Sequence, residues 1–130
     1  MHAPDPWDAG WSVVASSRSP RPGVHLLVVV NELDMATAPQ LSAATREILR
    51  HPPGVLAVDL AGVLFMASAG LDALLCTRED ALAAGCRLVL VAVPRPVRRV
   101  IELIGPPDLF AVHDTLAAAL AALGEPGVPS

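Results

Sequence analysis

The feature that most constrains the fold is the alternation of short aliphatic runs with longer stretches of helical periodicity. Three runs rich in Val and Leu have the length and composition of buried strands, at residues 24–30, 55–60 and 87–93. After each run, apolar residues recur every three or four positions, as on the core-facing side of a helix. Strands that alternate with helices pair in parallel through right-handed crossovers. The pattern therefore predicts an α/β fold.

The remaining segments complete the predicted order of elements. A short apolar stretch at residues 11–15 predicts an edge strand, residues 16–23 have turn chemistry, and residues 109–112 predict a brief last strand before a final helix. The order is then β-β-α-β-α-β-α-β-α, in a mixed sheet of about four to five strands with about four helices. We expect a flexible leader at residues 1–10, one domain at 11–123 and a flexible tail at 124–130.

Individual residues predict where these elements begin and end. Thr37 and Asp114 are suited to cap the first and last helices, and Gly85 is suited to end the second helix. Ala61 and Gly62 are expected to interrupt the second buried strand. The apolar face of the second helix is expected to carry Leu71, Leu74, Leu75 and Leu82. The apolar face of the third is expected to carry Val97, Val100, Ile101 and Ile104.

Composition narrows the class of protein. The 130 residues fit one domain, and 53% hydrophobic residues with only 3% aromatic residues predict an aliphatic core. A net charge of −4 argues against a nucleic-acid partner, which needs a concentrated basic surface. There is no secretory signal, and every apolar run is far shorter than the roughly 20 residues of a membrane span, so we expect a cytoplasmic protein without membrane contact. Cys76 and Cys86 are interpreted as reduced, buried thiols in preference to a disulfide.

Ser68 is the polar residue with the most chemical potential, because it lies between an apolar strand and an apolar helix. The simplest interpretation is a helix N-cap, in which the hydroxyl accepts a hydrogen bond from a free backbone N–H. The same position suits a phosphate, because a helix N-terminus offers free N–H groups and the positive end of the helix dipole. Ala69 and Gly70 leave the hydroxyl uncrowded. Both interpretations stay open at this stage.

Other chemistries find less support in the sequence. Ser68, Asp108 and His113 follow the hydrolase order, but Met66 occupies the position where the nucleophile elbow needs Gly. The four histidines have no metal-ligand spacing with cysteine, and no phosphate-binding glycine motif is present, so we predict neither a metal nor a cofactor. We therefore predict no catalytic residues and no enzyme.

Four stretches together resemble the STAS domain family, over residues 11–123. Asn-Glu-Leu-Asp-Met-Ala-Thr-Ala-Pro at 31–39 resembles the family's Gly-Glu-Leu-Asp-x-Ala-Thr-Ala-Pro. Val-Asp-Leu-Ala-Gly-Val-Leu-Phe at 58–65 resembles its Val-Asp-Leu-Ser-Gly-Val-x-Phe. Ala-Ser-Ala-Gly-Leu at 67–71 resembles its Asp-Ser-Ser/Ala-Gly-Leu, and residues 97–105 resemble its third helix. Four matches in the right order identify the chain as a single STAS domain.

The resemblance implies an anti-sigma-factor antagonist that binds an anti-sigma factor with a serine-kinase fold. It further implies that this kinase phosphorylates Ser68 and so ends the binding, and that a phosphatase restores it. The partner-binding surface implied by the resemblance consists of Asn31, Asp34, Ala67, Ala69, Gly70, Leu71 and Asp72.

Two residues depart from the family's pattern. Asn31 stands where the family has Gly, and Asn is among the residues that best tolerate a positive φ. Ala67 stands where the family has Asp, which removes a carboxylate beside the acceptor hydroxyl. This second departure motivates an alternative, in which the chain is a non-phosphorylated STAS adaptor in a larger regulatory or transporter-associated assembly.

Overall fold

The computed structural model describes residues 12–123, and these form the predicted order of strands and helices. The elements are β1 (Val14–Arg21), β2 (Val24–Leu33), α1 (Ala38–Leu49), β3 (Val55–Met66), α2 (Ser68–Ala83), β4 (Arg87–Val91), α3 (Arg95–Ile104), β5 (Ala111–His113) and α4 (Leu116–Leu123). The predicted leader at 1–10, the tail at 124–130 and residue 11 lie outside the described residues.

The strands form one five-stranded sheet in the order β1-β2-β3-β4-β5. β1 pairs with β2 in antiparallel fashion, and the other three pairings are parallel, so the mixed sheet is confirmed. Helices α1, α2 and α3 pack on one face, where Leu41, Leu74 and Val97 join the main aliphatic core. On the other face, Ala119 of α4 packs in a smaller cluster with Leu26. Each parallel strand thus has helices to cover it, which explains the long apolar runs.

The first strand is longer than predicted. The segment 16–23 was expected to be a loop, but β1 continues to Arg21, which pairs with Val24. Pro22 and Gly23 make the connecting turn, with Gly23 at a φ of 80°, as a type II turn requires at its second central position. Polar residues are tolerated because β1 is an edge strand.

The predicted interruption at Ala61 and Gly62 is also wrong, because β3 runs unbroken from Val55 to Met66. Its pairing with β2 shifts instead: Val28 lies opposite Asp59, and Val30 lies opposite Gly62. An extra residue on one strand is the signature of a β-bulge, which bends the strand without ending it.

The helix ends follow the predictions in part. Gly85 ends α2 as predicted, at a φ of 74°, and the N–H of Cys86 donates to the Ala81 carbonyl at 2.8 Å in a Schellman arrangement. Thr37 occupies the N-cap of α1 but makes no side-chain capping bond. The predicted cap Asp114 is wrong, because Thr115 accepts the hydrogen bond from the N–H of Ala118 at 3.0 Å.

Three burial predictions are wrong. Leu82 and Ile104 were expected to face the core, but both are exposed, in the last turns of their helices. Cys76 is exposed, whereas Cys86 is buried as predicted, and both thiols are free. Burial raises the pKa of the Cys86 thiol, because it penalises the thiolate.

Residues 12–123 contain neither a membrane-spanning helix nor a group of metal ligands. None of the four helices has the length and apolar character needed to cross a membrane. No group of three or more His, Cys, Asp or Glu side chains in this range has the arrangement of a metal site.

The positive φ at Gly85 leads to a stability prediction. A Cβ added there meets nothing within 4 Å, so any penalty is conformational and not steric. Gly85→Ala should lower the free energy of unfolding by about 1 kcal/mol, because an L-residue is disfavoured in the left-handed region. Gly85→Asn should lose less, because Asn tolerates this region. Urea denaturation measures both; an Ala variant as stable as the wild type would contradict the argument.

Candidate functional site

The carboxyl ends of β2 and β3 bring two segments of the predicted site together. These strands are parallel neighbours, and their last residues, Leu33 and Met66, lie opposite each other. The N–H of Ala67 donates to the Leu33 carbonyl at 2.8 Å. The loop that follows β2 and the start of α2 therefore meet at one edge of the sheet, which is where α/β folds place their sites.

Gly70 lets these two segments approach so closely. A Cβ on this residue would lie 2.7 Å from the Cβ of Leu33 and 2.9 Å from its carbonyl oxygen. Any other residue would push the first turn of α2 away from β2. Gly70 itself is buried, so it brings the two segments together but is not part of the exposed surface.

The sequence predicts Ser68 as the N-cap of α2. In the structure Ser68 is instead the first residue of the helix, one position after the N-cap. Ala67 holds the N-cap position, with φ −88° and ψ 174°, because its N–H still belongs to the pairing with Leu33. The Ser68 side chain is exposed, and its hydroxyl has no hydrogen-bond partner in the part of the chain that is described. The hydroxyl is thus accessible to another protein.

The N-cap position explains what the departure at Ala67 changes. Ala67 makes no side-chain capping bond, so the first N–H groups of α2 have no side-chain acceptor. An Asp in this position would supply one, in addition to a carboxylate beside Ser68. An Asp at this position would therefore also stabilise the start of α2, which Ala67 cannot do.

Asp34 holds the loop between β2 and α1 in a fixed shape. Its Oδ1 accepts hydrogen bonds from the N–H groups of Ala36 at 2.9 Å and Thr37 at 3.1 Å. The Thr37 hydroxyl donates to the Glu32 carbonyl at 2.6 Å and accepts from the Asp34 N–H at 3.0 Å. These bonds occupy the Thr37 hydroxyl, which is why it does not cap α1.

Asn31 has the positive φ predicted for it, at 66°. It lies near the end of β2, opposite Val63, so the strand continues past the end predicted for it at residue 30. Its Nδ2 donates to the Ser12 carbonyl at 2.8 Å, which fixes the side chain against the segment before β1. The Gly-to-Asn departure therefore preserves the backbone conformation.

The predicted contact residues differ widely in exposure. Gly70 and Leu71 are buried, and Asp72 is exposed. The half-buried ones are Asn31, Asp34, Ala67 and Ala69. All of them lie at the end of β2, in the loop after it or at the start of α2. The two buried residues support the exposed surface and are not part of it.

Three exposed apolar side chains at the same edge of the sheet as Ser68 were not predicted from the sequence. Met35, Leu64 and Phe65 are 81%, 70% and 50% exposed, respectively. A signal was present, because residues 63–66 are four apolar residues in a row, and a strand turns successive side chains to opposite faces. The acidic Glu32 and Asp72 are also exposed and form no ion pair with any described residue.

The three residues of the hydrolase hypothesis lie in separate parts of the structure. Asp108 is in the connection between α3 and β5, and His113 ends β5. The Ser68 hydroxyl bonds to neither of them. A serine nucleophile needs its base within hydrogen-bond reach, and this structure places neither Asp108 nor His113 there.

Comparison with known proteins gives consistent matches. A family model described as the Mlab STAS domain matches residues 18–112. The chain is 35% identical over 98 residues to the anti-sigma-F factor antagonist RsfB of Mycobacterium tuberculosis, covering 75% of this chain and 80% of RsfB. It is similar to an anti-sigma factor antagonist from Mycobacterium paratuberculosis, with a TM-score of 0.73 and 32% identity over 85% of this chain and 94% of that one.

The Bacillus cell fate determinant SpoIIAA in its phosphorylated form has a TM-score of 0.67 at 16% identity, covering 83% of this chain and 97% of that one. At this identity the likeness shows a shared fold.

The missing cap on α2 leads to a second stability prediction. Ala67→Asp should raise the free energy of unfolding by about 1 kcal/mol, because the carboxylate accepts an N–H that now lacks a side-chain acceptor. Ala67→Asn supplies the same acceptor without the charge and should give a similar gain. Thermal and urea denaturation measure both variants. If neither is more stable than the wild type, the uncapped helix start is not a source of instability.

Proposed function

The chain belongs to the STAS domain family, and from this premise we propose that it acts as an anti-sigma-factor antagonist. The observation that carries the proposal is the exposed hydroxyl of Ser68, which has no partner among the described residues and lies beside a loop held rigid by Asp34 and Thr37. RsfB, its 35% identical relative, is an anti-sigma-F factor antagonist. A preformed, rigid surface favours binding, because little order has to be gained on association.

The proposed partner is an anti-sigma factor with a serine-kinase fold. The unphosphorylated chain binds this partner in the cytoplasm through the surface around Ser68, and the partner then releases its sigma factor. This is a binding function and not a catalytic one. The chain's contribution is shape and charge, since no base lies within hydrogen-bond reach of the Ser68 hydroxyl among the described residues.

The proposed switch is phosphorylation of Ser68 by the bound kinase. The Ser68 Oγ attacks the γ-phosphorus of ATP, an O–P bond forms as the bond to ADP breaks, and the hydroxyl proton passes to a base of the kinase. A phosphatase reverses the change by hydrolysis. SpoIIAA, which shares the fold, exists in a phosphorylated form.

A phosphate on Ser68 has two separate effects, one on the folded domain and one on the complex. At the start of α2 it meets the positive end of the helix dipole, which stabilises it by about 0.3–1 kcal/mol at an exposed site. In the bound complex it brings about −1.5 to −2 charges into a surface that also exposes large apolar side chains, where desolvation of the phosphate costs several kcal/mol. The first effect acts on the free and the bound chain alike, whereas the second arises only in the complex, so phosphorylation weakens binding while the domain stays folded.

Ala67 supports a second candidate, the non-phosphorylated STAS adaptor. Without a carboxylate at this position, the surroundings of the acceptor hydroxyl differ from the family's pattern. The chain would then keep the binding surface and remain bound irrespective of kinase activity, in a larger regulatory or transporter-associated assembly.

The two candidates predict different results for Ser68→Asp. If Ser68 is a switch, this variant should bind the anti-sigma factor at least about tenfold more weakly, because it places a negative charge in the interface. Ala117→Asp is the matched control, since it adds the same charge in the first turn of α4 on the opposite face of the sheet. Calorimetric titration against anti-sigma factors of the source genome measures the affinity.

Incubation of the wild-type chain with the bound partner and ATP should add one phosphate, and Ser68→Ala should receive none. Unchanged affinity of Ser68→Asp together with an unchanged mass would leave the adaptor as the function. Failure of the wild-type chain to bind any anti-sigma factor would contradict the antagonist itself.

A further inference from the structure

The end of β3 exposes two large apolar side chains where a regular strand would expose one. Along residues 63–66, Val63 and Met66 are both buried in the main core. Leu64 and Phe65 between them are exposed. Regular alternation would bury every second residue, so two buried residues three positions apart need an irregularity in the strand.

That irregularity is a second shift in the pairing with β2. Asn31 lies opposite Val63, whereas its neighbour Glu32 lies opposite Phe65. Leu64 is therefore the extra residue of a bulge, without a partner on β2. Bulges re-aim side chains, and here the result is a pair of adjacent apolar side chains that both face solvent.

The other shift in this pairing, between Val28 and Val30 of β2, comes shortly before in the strand. The Asp59 Oδ1 accepts the N–H of Ala61 at 2.9 Å, which holds the extra residue in place. Gly62 then passes close to β2, since a Cβ there would lie 2.7 Å from the Cγ1 of Val30. We therefore expect Asp59 and Gly62 to fix the backbone from which Leu64 and Phe65 project.

Met35 adds a third apolar side chain at the same edge. It lies two residues after Leu33, whose carbonyl binds the N–H of Ala67 next to Ser68. The bonds made by Asp34 and Thr37 fix the loop, so Met35 is held outward in a defined position. Several large exposed apolar side chains at one edge of a sheet are typical of protein–protein interaction sites.

We propose that Met35, Leu64 and Phe65 form an apolar contact patch that anchors the anti-sigma factor. This inference rests on the proposed function and names the residues that carry its affinity. The three residues lie at the same edge of the sheet as Ser68, Glu32 pairs with Phe65, and Asp72 lies one turn after Ser68 in α2; both carboxylates are exposed. The partner surface that fits the patch is an apolar recess with basic side chains at its rim. Gly70 and Leu71 are buried, so their contribution in this proposal is to support the backbone beneath Ser68.

Leu64→Ser and Leu82→Ser form a matched pair for testing the patch. The two leucines are 70% and 72% exposed, and Leu82 lies in the last turn of α2, at the opposite end of that helix from Ser68. Against the anti-sigma factor that binds the wild-type chain, Leu64→Ser should lose about tenfold or more in affinity, because a large apolar anchor no longer becomes buried. Leu82→Ser should bind like the wild type.

The same titration at two salt concentrations tests the charged rim. Glu32→Gln should slow association and weaken its dependence on salt, because rim charges act mainly on the association rate. Equal affinities of Leu64→Ser and Leu82→Ser would overturn the apolar patch. An unchanged salt dependence in Glu32→Gln would overturn the basic rim of the partner. Both results presuppose that the wild-type chain binds, so they are distinct from failure of the proposed function.

Asp59 should act as a positioning residue for the patch. Asp59→Ala removes the acceptor for the Ala61 N–H, so exchange of that amide should accelerate and partner affinity should fall. Asp59→Asn keeps an oxygen acceptor and should restore both. Hydrogen exchange by NMR and the binding titration are the two readouts. Faster exchange in Asp59→Ala with unchanged affinity would show that the bulge has no part in binding.

Discussion

The contact between Gly70 and Leu33 is the constraint on which the site depends. It joins the first turn of α2 to the last residue of β2, and the absence of a Cβ is what allows it. The parallel pairing of β2 with β3 brings the two chain segments to the same edge, and the Ala67 N–H then fixes their distance. Ser68 and the loop after β2 therefore form one surface, although they are far apart in sequence.

Much of the fold could be predicted because its signals are local. The aliphatic strands and the helix that ends at Gly85 are encoded by residue type and spacing within a few positions. Most of β1 could not be predicted in this way, since Ser16 to Arg21 show no apolar alternation. Those residues become a strand because β2 offers a partner, and tertiary pairing overrides weak local preference.

The backbone around the candidate site was predicted from the sequence in part, and which of its residues contact a partner stays a prediction. The sequence identified Ser68, the loop of Asp34 and the positive φ of Asn31. It missed the start of α2 by one residue, because a tertiary bond from the Ala67 N–H keeps that residue extended. It also missed the exposed Leu64, because a bulge shifts the alternation on which burial predictions rely. Both misses come from contacts between distant segments.

Motif residues and variable residues have different roles in this surface. Asp59, Gly62 and Gly70 match the family's pattern, and each of them fixes the backbone through a hydrogen bond or a close approach. Met35 and Leu64 occupy the two positions that the quoted patterns leave open, and both side chains point to solvent. Substitutions at these two positions leave the backbone supports intact. A domain built in this way can change its partner by changing exposed side chains, while the serine and the scaffold that presents it stay the same.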